Sequence, residues 1–276
     1  MYQRALEGYE KACGPEHIST LGTVNNLGML YVDQGKLAEA EEMYQRALKG
    51  KEKALGLEHT STLETVNNLG LLYANQGKLS KAEELYQRAL KGKEKALGLE
   101  HTSTLRTVNN LGMLYADPGK LDKAEEMYQR ALKGKEKVLG LEHTSTLNTV
   151  NNLGSLYKAQ GKLSKAEEMY QQALKGYEKA LGPGNTTISM LNTVDNLGIV
   201  YKDQGKLAEA KEMHQRALEG YEKALGPEHS RCKAVRQSLI NLRSSNGMPS
   251  FILFSSTLYC LALTGIIGSA SRANPS

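Results

Sequence analysis

The sequence predicts an all-α solenoid built from stacked antiparallel helix hairpins. Three observations predict it. Asn-Asn-Leu-Gly recurs at 25–28, 67–70, 109–112 and 151–154, and returns as Asp-Asn-Leu-Gly at 195–198. The period is 42 residues three times and then 44, in the range of two-helix repeat units. Within each period the apolar residues follow helical spacing twice, with a Gly-Lys break between the two runs.

The copies are close enough to share one structure. Between residues 62–103 and 104–145, 35 of 42 positions are identical. In the second copy the first helix is expected from about Thr62 to Asn75, with Leu63, Val66, Leu69, Leu72 and Tyr73 on its apolar side. Ser61 or Thr62 is the expected cap, since a short hydroxyl can accept a bond from a free first-turn amide. Gln76-Gly77-Lys78 breaks this helix. The second helix is expected from about Leu79 to Leu97, with Ala82, Leu85, Tyr86, Ala89 and Leu90 as its stripe. Gly98 ends it, in a left-handed C-terminal position that favours glycine.

A glycine also stands inside every second helix, at Gly50, Gly92, Gly134, Gly176 and Gly220. Each costs about 1 kcal/mol relative to alanine. Close packing, a slight bend and local fraying all remain open as the reason. The two extra residues of the fourth period fall around Pro183-Gly184-Asn185, in a loop, where an insertion costs little.

One hairpin cannot bury both sides of such stripes, whereas stacked hairpins can. Small residues (Gly70, Ala82, Ala89) fall where helices approach, and large ones (Tyr73, Tyr86) fill the gaps. Composition agrees with thin helical layers: there is no Trp, only 2 Phe, and the aromatic character comes from 14 Tyr.

The order Val66, Leu69, Gly70, Tyr73, Ala82, Tyr86, Ala89 resembles the tetratricopeptide repeat signature in all five copies, from Thr20 to about His229. The 42-residue length, with Leu-Gly-Leu-Glu-His-Thr between units, is similar to the repeats of kinesin light chains. It also resembles near-identical fungal arrays that follow a nucleotide-binding switch domain. The kinesin light chain pattern usually has proline after the loop histidine, where this chain has Thr60, Thr102 and Thr144. No heptad segment and no nucleotide-binding domain is present in this sequence. The resemblance implies a right-handed superhelix with the first helices on its concave side.

The expected organisation follows. Residues 1–19 read as the second helix of a truncated repeat, because Tyr2–Cys13 aligns with Tyr44–Leu55. Residues 20–229 hold five units, 230–246 a capping helix, and 247–276 an apolar tail. The missing first half suggests a piece of a longer protein. In the tail, residues 251–270 carry no charge and are long enough to span a bilayer core of about 30 Å. It reads either as a tail anchor on an otherwise cytoplasmic protein or as a read-through end.

Function classes narrow in the same way. The net charge of +5 comes from 35 basic and 30 acidic residues spread along the chain, without the one-sided basic surface of a nucleic-acid binder. Lys-Gly-Lys-Glu-Lys at 49–53, close to Glu41 and Glu42, is read as a solvated helix face. Cys13, Cys232 and Cys260 form no metal or redox spacing, which suits a reducing, cytoplasmic compartment. His17, His59, His101 and His143 lie one unit apart, about 10 Å for packed helices, so capping is expected of them and shared metal ligation is not. Gly77-Lys78-Leu79-Ser80 lacks the strand and spacing of a phosphate loop, and Asn185-Thr186-Thr187 would be a glycosylation acceptor only after secretion. No catalytic constellation is present, so no enzyme activity, cofactor or metal is expected.

The resemblance implies instead that the second asparagine of each copy faces the groove: Asn26, Asn68, Asn110, Asn152 and Asn196. An amide offers donors and an acceptor, so such a row can hold the backbone of an extended peptide. The competing reading is that each asparagine bonds its neighbour's backbone and sets the stacking. Variable positions beside the row would give specificity: Glu64 and Arg106 one turn earlier, and Met29, Leu71 and Met113 about one turn later. The expected function is a scaffold binding a protein or peptide segment, within a larger signalling protein. A kinesin light chain-like cargo adaptor and a structural spacer are the alternatives.

Overall fold

A computed structural model describes residues 1–245 apart from Pro118 and Pro183. The tail and its candidate span at 251–270 lie outside the described residues. Among the described residues there are twelve α-helices and no strand. In chain order they are α1 (Tyr2–Cys13), α2 (Ile18–Asp33), α3 (Leu37–Leu55), α4 (Thr60–Asn75), α5 (Leu79–Leu97) and α6 (Thr102–Tyr115). They continue with α7 (Leu121–Leu139), α8 (Thr144–Ala159), α9 (Leu163–Leu181), α10 (Ile188–Asp203), α11 (Leu207–Leu225) and α12 (Ser230–Ser245). No described helix is long and apolar enough to cross a membrane.

Local chemistry sets the helix ends. The first helices α2, α4, α6 and α8 are capped by histidine, the role expected of these histidines, in place of the Ser61 or Thr62 cap also expected, while at α10 the Thr187 hydroxyl accepts the Met190 amide. His59 Nδ1 accepts the Ser61 amide at 3.1 Å, and His17, His101 and His143 repeat the contact. The Thr62 hydroxyl turns back instead and donates to Gly56 O at 2.9 Å, tying each helix start to the end of the preceding one. At the other end Gly77, with φ +72°, lets the Gly77 and Lys78 amides reach Ala74 O and Tyr73 O, the paired closure that satisfies the last free carbonyls of a helix. The second helices stop differently. Gly98 has φ 90° and ψ 167°, outside the left-handed helical region expected for it and in a region nearly reserved for glycine. The chain leaves extended there, then enters the next helix after four residues. Between α9 and α10 the loop is six residues, 182–187, which takes up the inserted pair.

The chain divides into two compact units, Met1–Thr193 and Val194 onward. In the first, each hairpin closes with a tyrosine ring lying on a glycine. A Cβ on Gly70 would meet Tyr86 Cδ1 at 3.0 Å, and Gly28, Gly112 and Gly154 face Tyr44, Tyr128 and Tyr170 in the same way. Gly50, Gly92, Gly134 and Gly176 inside the second helices have the same cause. A Cβ on Gly92 would stand 2.6 Å from Leu63 Cδ1, so close packing decides that question. Leu63, Val66, Leu72, Ala82, Tyr86 and Ala89 are all buried.

Second helices also pack on the first helix of the next hairpin, α3 on α4, α5 on α6 and α7 on α8. Glu41 marks this seam by accepting from Tyr73 Oη at 3.0 Å and Gln76 Nε2 at 3.2 Å. Burial pushes the Glu41 carboxyl up, and these bonds with Lys78 more than reverse it.

In the second unit, Val194, Leu197 and Val200 of α10 and Ala210, Ala217 and Tyr221 of α11 form the core. His214 stands where the other copies have tyrosine. It is fully buried, with Nδ1 2.8 Å from Asp195 Oδ1. Helix α12 buries Cys232, Val235 and Leu242. Aligned on Cys232, whose thiol donates to Gly226 O as Thr62 does to Gly56, it carries Lys233 and Arg236 where α4 has Leu63 and Val66.

Candidate binding groove

The inner side of the first unit is identified by what bridges successive copies. First helices are near enough for short amides to meet: Asn68 Nδ2 donates to Asn25 Oδ1 at 3.3 Å, Asn110 to Asn67 at 3.3 Å and Asn152 to Asn109 at 3.4 Å. Second helices are joined by long side chains, Arg46 to Glu10 and Arg88 to Glu52, both at 2.6 Å, and Arg130 to Glu94. A stack held by two-carbon amides on one side and by Arg–Glu pairs on the other curves toward the amides. Within residues 1–193 the first helices therefore line the concave side.

The asparagine row has a definite structural task there. Asn68, Asn110 and Asn152 each bond the side chain of the preceding copy's first asparagine, where the competing expectation was a bond to the neighbour's backbone. A threonine extends the network from Asn67, Asn109 and Asn151. Thr107 Oγ1 donates to Asn67 Oδ1 at 3.0 Å, Thr149 to Asn109 at 3.1 Å and Thr193 to Asn151 at 3.0 Å. Asn68, Asn110 and Asn152 are half-buried, as is Asn196 in the second unit, and Asn26 is exposed. One N–H of Asn68, Asn110 and Asn152 is spent on the ladder, so the amide oxygen and second N–H remain for the groove.

Beside this row runs an exposed apolar one. Met29, Leu71 and Met113 are 48%, 36% and 51% exposed, and each stands three residues after its asparagine. Leu71, Asn75, Tyr86, Asn110, Met113 and Asp117 line a cleft of about 160 Å³ between two copies. On the same face one turn earlier, a second cleft of about 540 Å³ is lined by Glu64, Ser103, Arg106, His143 and Ser145. The structure thus brings Leu71 together with Asn110 and Met113, and Glu64 together with Arg106, which form an ion pair.

The sequence reading missed the residues beneath this row. Lys49 and Lys53 are exposed as expected, but Lys51 is buried, and so are Lys93 and Lys135. The solvated-face reading of 49–53 is corrected there. Lys51 Nζ donates to Thr65 Oγ1 at 2.9 Å and Ser61 O at 3.3 Å. Lys93 meets Thr107 and Ser103 O in the same way, and Lys135 meets Thr149 and Ser145 O. Lys93 also holds Glu64 Oε2 at 3.1 Å. Burial pulls each of the three ammonium groups down to about 8, helped at Lys135 by Arg106. Two signals in the sequence pointed to this. Ala40, Tyr44, Ala47 and Lys51 continue one helical stripe, and the position of Lys51 is tyrosine in later copies, at Tyr177 and Tyr221. A position that alternates between lysine and a buried tyrosine lies at an interface, because the lysine stem and the ring cover similar apolar surface.

Among the described residues no three His, Cys, Asp or Glu side chains gather into a metal-binding group.

Comparison with known proteins agrees with this geometry. Tetratricopeptide repeat profiles match residues 1–53, 20–95, 60–137 and 103–179, and a further one matches 190–231. No functionally curated protein matches the sequence. Among solved structures, BtubC (BKLC) from P. vanneervenii is similar with a TM-score of 0.66 at 22% identity, over 100% of this chain and 94% of that one. A Podosopora anserina putative kinesin light chain with nearly identical TPR-like repeats gives 0.61 at 27% identity, over 76% of this chain and 98% of that one. NprR in complex with its cognate peptide NprX gives 0.66 at 15% identity, over 98% of this chain and 77% of that one.

Proposed function

Since the chain belongs to the tetratricopeptide repeat family, we propose that it is a protein-interaction scaffold whose first-helix groove binds a segment of another protein. The observation that carries this is the row Met29, Leu71 and Met113, exposed apolar side chains at one register beside half-buried amides. Leu71 and Met113 share one cleft with Asn110, so a bound segment would cover both apolar side chains at once. The amides would hold the segment's backbone, and the apolar row would take its side chains. NprR shares this fold and is found in complex with a peptide, which supports the mode of binding and not the identity of the ligand. The proposed role is binding rather than catalysis, in a cytoplasmic setting suggested by the scattered cysteines.

A photo-crosslinking residue tests this. Placed at Met113 in the groove, it is expected to capture a defined partner. Placed at Glu126, exposed on the second helix α7, it is expected to capture none of that partner. Equal capture from both positions, or capture from Glu126 alone, would remove the groove from the account.

A further inference from the structure

The loops that join second helices to the next first helices lie along one edge of the stack, apart from the groove. Three of them expose a leucine. Leu57, Leu99 and Leu141 are 60%, 61% and 62% exposed, each following the positive-φ glycine that ends a second helix. The turn itself does not need them. Pro15 and Pro227 follow Gly14 and Gly226 at the same position, and those glycines keep the same turn, with φ 91° and 85° against 90° at Gly56. A proline there also restricts the unfolded chain and so favours folding. Single exposed apolar side chains are ordinary. These three instead recur at one register, about 10 Å apart for packed helices, and the row is bounded in the sequence by Pro15 before it and Pro183 after it.

Charge alternates along the same edge in a fixed direction. Glu58 accepts Lys95 Nζ of the next copy at 2.6 Å, Glu100 accepts Lys137 at 2.6 Å, and Glu142 pairs with Lys179. Along the stack the order is therefore Leu57, Glu58, Lys95, Leu99, Glu100, Lys137, Leu141. We infer that this edge pairs with the same edge of a second copy of the chain running in the opposite direction, about a two-fold axis at Leu99. Reversal brings Leu57 against the second copy's Leu141, and Leu99 against its own counterpart. It also sets Glu58 against Lys137 and Lys95 against Glu100, so every charge in the row meets its opposite. A parallel pairing sets like charges against each other, which disfavours it. The contact is isologous and closes at two copies instead of growing into a fibre. Three leucines a side make a ridge about 20 Å long at the usual helix spacing. That is small against the roughly 800 Å² per partner of a standard stable complex, so the dimer is weak and reversible. The inference concerns a surface outside the groove and does not depend on what the groove binds.

The test is sedimentation velocity on the full chain from about 1 to about 200 µM, the range in which a small interface associates. Wild type is expected to be monomeric at the low end and to shift toward dimer at the high end. Leu99→Asp puts two carboxylates on the axis, one from each copy, and is expected to abolish the shift. The triple variant Leu57→Pro, Leu99→Pro and Leu141→Pro copies the turns at Pro15 and Pro227. It is expected to give a folded monomer, and serves if Leu99→Asp fails to fold by circular dichroism. Direction is read by disulfide formation in a Cys13→Ser, Cys260→Ser background. Leu99→Cys is expected to link to its counterpart in the second copy. Leu57→Cys is expected to link to Leu141→Cys when the two variants are mixed, and not to its own counterpart. Wild type that stays monomeric at about 200 µM would overturn the inference and leave the ridge to a different partner. Association unchanged in both Leu99→Asp and the triple proline variant would overturn it as well, and would point to contacts elsewhere on the chain. Leu57→Cys linked to its own counterpart would overturn the antiparallel arrangement.

Discussion

Gly92 shows how single atoms fix this array. An alanine there would raise intrinsic helix propensity by about 1 kcal/mol, yet its methyl would fall 2.6 Å from Leu63 Cδ1. Overpacking of that kind costs about 1–3 kcal/mol. Gly92→Ala is therefore expected to lower stability, read as a lower urea midpoint with unchanged slope, whereas propensity alone predicts a rise. The tyrosine–glycine contact was legible in the sequence as small residues facing large ones. The reason for Gly92 was not, because the leucine it meets lies 29 positions earlier in the chain and no local pattern connects them. The lysines were misread for a related reason. Charge content suggested solvent, while the helical stripe through Ala40, Tyr44 and Ala47 to Lys51 pointed inward. The stripe was the better guide, since a four-carbon stem buries readily when its ammonium finds acceptors. The groove residues were legible in part. The repeated asparagine was visible, but its bond to the neighbouring asparagine joins residues 43 positions apart.

At the scale of elements, periodicity located the second helices to the residue, with α5 running Leu79–Leu97 as expected. Helix α4 begins two residues earlier than expected, at Thr60, because its cap is the His59 ring, as expected of the histidines, and not the Ser61 or Thr62 hydroxyl. The third copy shows what a single departure does. Its sequence has Pro118 where the other copies have Gln34, Gln76, Gln160 and Gln204. Helix α6 stops at Tyr115, against Asn75 in α4, since a residue before proline disfavours helical geometry. Glu83 is then held by Tyr115 at 2.9 Å, Lys120 at 3.0 Å and Gln87 at 3.3 Å, with proline in place of the glutamine of the next copy that donates to Glu41 (Gln76) and Glu125 (Gln160). Pro118→Gln is expected to extend α6 and add that bond, raising stability by about 1 kcal/mol. Circular dichroism and thermal melting check it; lower helicity with a lower midpoint would contradict the assignment.

For the whole molecule, repetition converts one residue's electrostatics into a property of the array. Lys51, Lys93 and Lys135 are each pulled from 10.5 to about 8 by burial. The folded chain thus binds fewer protons than the unfolded one between about pH 8 and 10, and stability rises with pH across that window. Buried tyrosines act in the opposite sense. Tyr44, Tyr170 and Tyr177 are pushed up to about 12, so their contribution is complete below the ordinary tyrosine value of 10 and is lost above it. The thermal midpoint is expected to climb from pH 7 to a maximum between about 9 and 10, and to climb less in Lys51→Met with Lys135→Met. A midpoint flat or falling from pH 7 to 9 would show that these ammonium groups are not buried as described.

The groove is the central claim, and amide hydrogen exchange with and without a crosslinked partner tests it most directly. Slowed exchange in the first helices α4, α6 and α8, with α5 and α7 unchanged, is the predicted result. Protection confined to the second helices would contradict it.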